Sequence, residues 1–547
     1  MTRRARLGIW SLAIAAGVVQ AYAYRWTTNP DGISYIDIAR EWMTHPGLHA
    51  VSTYWSPLFS WCLSLAATIS NAAPTQWLAV GHAVSACCFI GTLVSAAVLL
   101  RRVRSGETTD GLALASALAA VVLAGTVSIN PELITPDILL CWMTVLASCF
   151  ALDVLAAPDR TRPAFKLGLV LGIAYLAKAI ALYLAGATLA ALVVAGLVER
   201  KSHVRATLIA LGGFLIVASP WIAVQSRVAG AFTTGSAGRV AFPQEVLGVP
   251  RLGALMPRDG VAPGYAVARG ATLVSVAPWL VRADSSLPGV SPMQYDVSRW
   301  HESDARPRID VAAMWQKLLD QLLGSWPPFA IAIAVLSVLL ARGPGAVPRR
   351  DWSTLIVLGA PLCVVGGMYL LILSEPRYMA PLWLPLGIVA PSLLAGLPRA
   401  HADTRASRAW VLASLIFFGI GATPALLRNL TYAAADLRGE DLVPESVRPQ
   451  LAFLRRHGVV SGEHVALIGD PYEVEWAVPL DVRVSVITPS LERGEFFVAM
   501  SDGERSALLR TLHDAGIRHL LIRLPVSRAV AGMETDELAE LGVVAVP

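Results

Sequence analysis

The sequence predicts an all-α polytopic membrane bundle of about eleven spans, with a small α/β domain outside the membrane at its C-terminal end. Three observations predict this. Of 547 residues, 55% are hydrophobic and only 15% charged, and the mean hydropathy is +0.57; a water-soluble globule could not bury so much apolar surface. The apolar residues fall in runs of roughly twenty, the length needed to cross a bilayer as a helix. Beyond Leu427 the runs stop, and short strand-like and helix-like stretches alternate instead.

In order, the spans run from Leu7 to Tyr24, Trp77 to Leu100, Gly111 to Ser128, Leu133 to Leu155, Leu167 to Leu182 and Tyr183 to Val198. Ala206 to Val224, Phe329 to Leu340, Trp352 to Leu373, Tyr378 to Leu394 and Trp410 to Leu427 complete the set. The first begins after Arg3, Arg4 and Arg6 and ends near Ala21-Tyr22-Ala23, which reads as an uncleaved signal anchor, with a cleaved leader as the alternative. Leu58 to Ile69, behind Ser56-Pro57, is too short to cross and reads as a half-buried helix. Leu167 to Val198 is one long apolar stretch, either a tilted single helix or a hairpin. Basic residues on both flanks favour the hairpin, with the rare Lys178 at its reversal.

Charge orients the bundle. With the N-terminus inside, the inside loops hold Arg101/Arg102/Arg104, Arg160/Arg162/Lys166, Arg200/Lys201/Arg205, Arg342/Arg349/Arg350 and Arg399/Arg405/Arg408. Every short inside loop is then basic. The short outside connections, Ile129 to Glu132 and Ser374 to Arg377, carry carboxylates and a single arginine. The division is therefore a membrane module at 1–427, with outer loops at 26–76 and 227–321, and a soluble outer domain at 428–547. In that domain Gln450 to His457 and Asp502 to Ala515 read as helices, and His464 to Ile468, Val482 to Ile487 and His519 to Leu524 as strands.

Several functions are disfavoured. The net charge of +5 comes from arginines in short loops and serves orientation, so no nucleic acid is expected as a partner. All six cysteines lie in apolar runs, with no disulfide framework and no metal spacing. His45 and His49 stand four apart without a third ligand, so no metal or other cofactor is expected.

Three polar sets fall on the outer face. The first is Asp31 in Asn29-Pro30-Asp31-Gly32, opening an amphipathic helix that also carries Tyr35, Asp37 and Glu41. Asp31 there is either the helix cap or a base at the headgroup boundary, while Asp37 and Glu41 read as solvated or paired. The second is Glu132 and Asp137 at the start of the fourth span, where Asp137 could again be a cap. The third is Glu375-Pro376-Arg377-Tyr378, either a structural ion pair or a ligand contact.

These motifs in this order resemble the C-type glycosyltransferase superfamily. They are Asp31 with Tyr35 and Ala39-Arg40, the Ser56-Pro57-Leu58 half-helix, Gly172 to Lys178, Ala218 to Trp221, and Glu375 to Pro381 with Pro385. The likeness is greatest to the branch of protein O-mannosyltransferases and lipid A aminoarabinose transferases, and it covers about Met1 to Leu427. It implies a polyprenyl-phosphate sugar donor, a lipid, glycan or protein acceptor, and a site facing the outside of the bacterial cytoplasmic membrane. Asp31 matches the position of the catalytic base, and Asp137, with Glu132 second, matches the acidic position of the fourth span. Glu375, Arg377 and Tyr378 match the late donor-side motif, with Lys178 and Tyr35 as further donor contacts. One departure stands out: where many relatives have a cation before the half-helix proline, this chain has Tyr54-Trp55-Ser56. The phosphate cation must then be Arg377, Lys178, Arg25 or Arg40.

Residue types fit that chemistry. A sugar on a lipid phosphate carries its own leaving group, so the site needs a cation for the departing phosphate and a carboxylate for the acceptor proton. One base and direct displacement imply inversion at the anomeric carbon. A transporter or flippase of lipid-linked saccharides would instead require charges buried in mid-span and repeated halves. A non-catalytic scaffold acting through the soluble domain is the other alternative.

Overall fold

The structure is a computed structural model that describes residues 2–44, 46–103, 111–130, 132–238, 348–372, 375–396, 404–438, 447–468, 474–487 and 501–523. Shorter described pieces are 241, 266–268, 271–277, 280–283, 315–316, 319, 534–536 and 541–545. The membrane module comprises α1 (Arg3–Ala23), α2 (Pro30–Thr44), α3 (Pro57–Ser70), α4 (Trp77–Val103), α5 (Gly111–Leu123), α6 (Asp137–Ala156), α7 (Thr161–Ala177), α8 (Ala181–Glu199) and α9 (Val204–Ala229). It continues with α10 (Arg349–Pro361), α11 (Gly367–Ile372), α12 (Pro376–Gly396) and α13 (Thr404–Leu437). Eight of these segments are long and apolar enough to cross a membrane, with α5 and α10–α11 each extended by a π-turn, and the chain is a polytopic membrane protein. The span expected at Phe329 to Leu340 lies outside the described residues.

The hairpin reading of 167–198 is the one the structure adopts. α7 ends at Lys178, whose backbone is extended, and α8 starts at Ala181. α7 lies closely against α9 because glycines remove the side chains between them. A Cβ at Gly168 would stand 2.0 Å from the Ala210 carbonyl oxygen, and one at Gly213 would stand 2.7 Å from the Phe165 carbonyl oxygen. α6 sits centrally, touching α4, α7 and α12. α12 tolerates Pro381, Pro385 and Pro391 because neighbouring helices surround it. Two π-turns, at Ala124–Ser128 after α5 and Leu362–Gly366 before α11, each shift the register of the following residues.

The expected half-helix is α3, started by Ser56 and Pro57 and ended by Asn71 in the left-handed conformation. It packs on α2, and Ser60 and Ser64 donate to the carbonyls of Tyr35 and Ala39 at 2.9 Å each.

The soluble domain contains α14 (Arg448–Arg456), β4 (His464–Ile468), α15 (Ala477–Leu480), β5 (Arg483–Ile487), α16 (Asp502–Asp514), β6 (His519–Arg523), β7 (Glu534–Asp536) and β8 (Leu541–Ala545). β4 lies between β5 and β6, parallel to both, and all but its first residue are buried. Ser501 and Glu504 form a reciprocal cap at the start of α16. The sheet is larger than the C-terminal sequence supplies. β1 (Ala266–Ala268), β2 (Ala271–Ala277) and β3 (Leu280–Ala283), from the segment read as the long outer loop, extend it antiparallel through β3 on β5. The resulting order is β1-β2-β3-β5-β4-β6-β8-β7. α13 runs to Leu437, ten residues past the apolar limit at Leu427.

The α7–α9 contact yields a prediction. In Gly168→Leu the new side chain meets backbone that cannot move aside, so overpacking is expected to destabilise the bundle by about 2 kcal/mol or more. Thermal melting of the detergent-purified protein, followed by size-exclusion chromatography, checks it; an unchanged midpoint would contradict the close approach.

Candidate active site at one end of the bundle

The candidate residues lie at the end of the bundle where α1 leads into α2 and where α6 and α12 begin. Local capping decides what Asp31 can do. Asn29, not Asp31, caps α2: its Oδ1 accepts from the Gly32 N–H at 3.1 Å and its carbonyl from the Ile33 N–H at 3.1 Å. Asp31 is therefore free to face the bundle, and one of its oxygens lies 3.1 Å from Arg377 Nη1.

Arg377 is the second residue of α12, behind Glu375-Pro376. Its Nε lies 2.5 Å from Glu375 Oε2, and its Nη2 donates to the Tyr378 hydroxyl at 2.9 Å. The guanidinium is thus gripped from both sides, with its side chain 9% exposed against 32% for Asp31. Nε and Nη1 stand at ion-pair distance from carboxylates, but neither is aligned as a hydrogen bond. A buried arginine with donors in that state can turn them to an incoming anion.

The second pair is Asp137 with Lys178. Asp137 is the first residue of α6, 1% exposed, with one oxygen 2.5 Å from Lys178 Nζ and the other accepting from Thr135 Oγ1 at 2.8 Å. It is neither a free base nor the cap, since Pro136 holds the cap position. The Lys178 ammonium lies 4.1 Å from the Tyr378 ring centroid. Tyr378 carries Lys178 against its ring, bonds Arg377 through its hydroxyl, and stacks on Tyr369 with centroids 5.1 Å apart.

Tyr35, one turn beyond Asp31, is buried between Trp55 and Phe59, with centroids at 5.1 and 5.5 Å. Burial, reinforced by the nearby charges of Asp31 and Asp137, raises its phenol well above the ordinary range and keeps it protonated. Asp31, Asp137, Glu375, Arg377, Tyr378, Lys178 and Tyr35 therefore form one cluster.

Other candidates fall elsewhere. Glu132 is exposed, and its charge is felt at Tyr24 rather than at Arg377. Arg25 pairs with Asp436 at 2.7 Å, and Arg40 lies near Asp481. Neither is paired with the cluster around Asp31, whose own cations are Arg377 and Lys178. Asp37 and Glu41, read as solvated or paired, are buried on α2. His45 lies outside the described residues, and among those described no group of three or more His, Cys, Asp or Glu is placed to hold a metal ion. Tyr369, Thr135 and Asn29 were not singled out by the sequence. Gly366-Gly367, at the π-turn before Tyr369, is the local sign by which that tyrosine could have been found.

The Asp137–Lys178 pair yields a prediction. In Asp137→Asn, Lys178 loses its counter-charge in a largely dry site, which is expected to destabilise the bundle by roughly 2–4 kcal/mol. Asp137→Asn with Lys178→Met should recover most of that loss in thermal melts. Equal damage in the single and double variants would show that the pair is not the stabilising unit.

No family model matches the sequence, and no curated protein matches it. Solved structures do. The crystal structure of ArnT from Cupriavidus metallidurans bound to undecaprenyl phosphate is 15% identical, with 98% of this chain and 98% of that chain covered and a TM-score of 0.57. Its apo state matches with 15% identity, 99% and 98% coverage and a TM-score of 0.56. The archaeal oligosaccharyltransferase AglB from Archaeoglobus fulgidus, in complex with an inhibitory peptide and a dolichol-phosphate, is 12% identical over 94% of this chain and 69% of its own, at a TM-score of 0.49. At such identities the likeness is one of fold, and with ArnT it extends over nearly the whole of both chains: this chain has the polytopic membrane fold seen in ArnT.

Proposed function

We propose that the chain is a membrane glycosyltransferase that moves one sugar from a polyprenyl-phosphate donor to an acceptor at the outer face of the bacterial cytoplasmic membrane. The observation that carries this reading is the buried Arg377, with two donors at ion-pair distance yet not hydrogen-bonded, beside the part-exposed carboxylate of Asp31. That geometry supports an anion-binding role for Arg377 beside a carboxylate open to an acceptor. Undecaprenyl phosphate bound to ArnT, in the same fold, adds support for a lipid-phosphate donor. The basic short loops support an N-terminus in the cytoplasm, with the cluster and soluble domain outside.

The step balances as a direct displacement. The acceptor hydroxyl or amine gives its proton to Asp31 as its heteroatom attacks the anomeric carbon. The bond from that carbon to the phosphate oxygen breaks, and the electron pair stays on the phosphate, where Arg377 and Lys178 face the added charge. Attack opposite the leaving group inverts the configuration. Glu375 and Tyr378 hold Arg377 in place, and Asp137 with Thr135 holds Lys178. Asp137 is thus a positioning residue on this reading, and Glu132 has no part in the chemistry. The acceptor is a lipid, glycan or protein at the membrane surface.

The test is transfer from a panel of radiolabelled polyprenyl-phosphate sugars into membrane acceptors at matched expression. Asp31→Asn is expected to lower kcat about 10²–10⁴-fold, the range for loss of a general base, with donor KM changed only a few-fold. Arg377→Lys should raise donor KM and lower kcat together, because a lysine cannot hold two phosphate oxygens at once. The product should carry the inverted linkage. Full activity in Asp31→Asn would remove the base assignment. Transfer from no donor, together with movement of lipid-linked saccharide across the membrane that depends on this protein, would replace the enzyme by a transporter.

A further inference from the structure

We propose that the soluble domain braces the helix that carries Asp31, and that Arg40 is the positioning residue through which it does so. This inference rests on the proposed transferase reading for its catalytic consequence, though not for the brace itself. Arg40 follows Asp31 by nine residues on α2, which at about 100° per residue sets the two on opposite faces of the helix. The structure uses both faces. Asp31 meets Arg377 at the start of α12, while Arg40 Nη1 lies 3.5 Å from Asp481 Oδ1 in the soluble domain. α2 is therefore held between a span of the bundle and a domain joined to it far along the sequence.

Arg40 is fixed by more than the ion pair. Its Nη2 donates to the Pro74 carbonyl at 2.8 Å, and its guanidinium carbon lies 5.4 Å from the Trp77 ring centroid. Pro74 and Trp77 belong to the turn and helix start on which α15 rests. One side chain thus joins α2, the entry to α4 and the soluble domain. Asp481 is equally constrained. It ends α15 in the left-handed conformation at φ 54°, and its other oxygen accepts from Ser461 Oγ at 3.0 Å. The Arg40 and Asp481 side chains are only 12% and 17% exposed, so the pair is less screened than one at an open surface. Burial draws the Arg40 guanidinium below its ordinary pKa, while Asp37 and Asp481 support its charge and Arg483 opposes it. A base must stay within a fraction of an ångström of its proton donor, so tilting of α2 would reduce turnover before it altered the phosphate cations on α7 and α12.

The test uses the full chain in lipid nanodiscs with Arg40→Gln, Asp481→Asn, the double variant and Arg40→Lys. Asparagine is chosen at 481 because it tolerates the left-handed conformation without the charge. Hydrogen exchange of residues 33–44 needs no substrate. Both single variants should speed it at least fivefold while α6 and α12 exchange as before, and the double variant should match the singles. In the transfer assay each single variant should lower kcat about tenfold with donor KM within twofold, and Arg40→Lys should recover most of kcat. Unchanged exchange in α2, or single-variant effects that add in the double variant, would overturn the brace. A rise in donor KM without a fall in kcat would overturn the positioning role. If exchange responds but the wild type transfers no sugar, the brace stands and the transferase reading falls.

Discussion

The contact on which the site depends is the grip of Arg377 between Asp31 and Glu375. It joins residues more than three hundred positions apart, closing the first loop of the chain onto the start of a late span. A guanidinium this buried needs counter-charge, and the two carboxylates supply it, Asp31 at Nη1 and Glu375 at Nε. Nη2 is hydrogen-bonded to Glu375 and Tyr378, while Nε and Nη1 stand at ion-pair distance without aligned hydrogen bonds. The ion pair thus closes the first loop of the chain onto the start of α12.

The second cation is held by a different means. Lys178 lies where it does because α7 stops there, and α7 stands close to α9 because Gly168 and Gly213 allow backbone to approach backbone. At the turn Lys178 meets Asp137 and the Tyr378 ring rather than solvent. Thr135 takes up the other oxygen of Asp137, so the fully buried carboxylate is spent on fixing the ammonium. The two carboxylates at the mouth of the bundle are chemically alike but differ in environment. Asp31 is open and shares its arginine; Asp137 is enclosed and has both oxygens engaged.

The membrane helices were legible because hydrophobic length is a local signal, and ten of the eleven expected spans correspond to described helices. The three polar sets were visible as residue types, but their roles were not. Asp31 and Asn29 are both good caps separated by one proline, and only the backbone shows that Asn29 does the capping. Tyr369 reads as one more apolar-run residue until a π-turn changes the register and brings it onto Tyr378. The long segment between α9 and α10 showed no strong strand pattern, yet three of its strands complete a sheet whose other members lie some two hundred residues later. Pairing over such a distance leaves little trace in either segment alone.

The absence of a cation before the half-helix becomes intelligible from these contacts. Trp55 packs edge-on against Tyr35, and Tyr54 against Trp55. The Tyr54-Trp55-Ser56 stretch therefore forms an aromatic wall beside α2, where a lysine would have to bury its charge against three rings. With Lys178 already anchored on Asp137 and Arg377 on Asp31, the positive charge of the site comes from α7 and α12. The aromatic wall then fixes one side of α2 through Tyr35, while Arg40 and Asp481 meet its far side. A carboxylate on a short helix that does not span the bundle lacks the lateral support that a spanning helix receives from its neighbours, and contacts on three sides of α2 supply it.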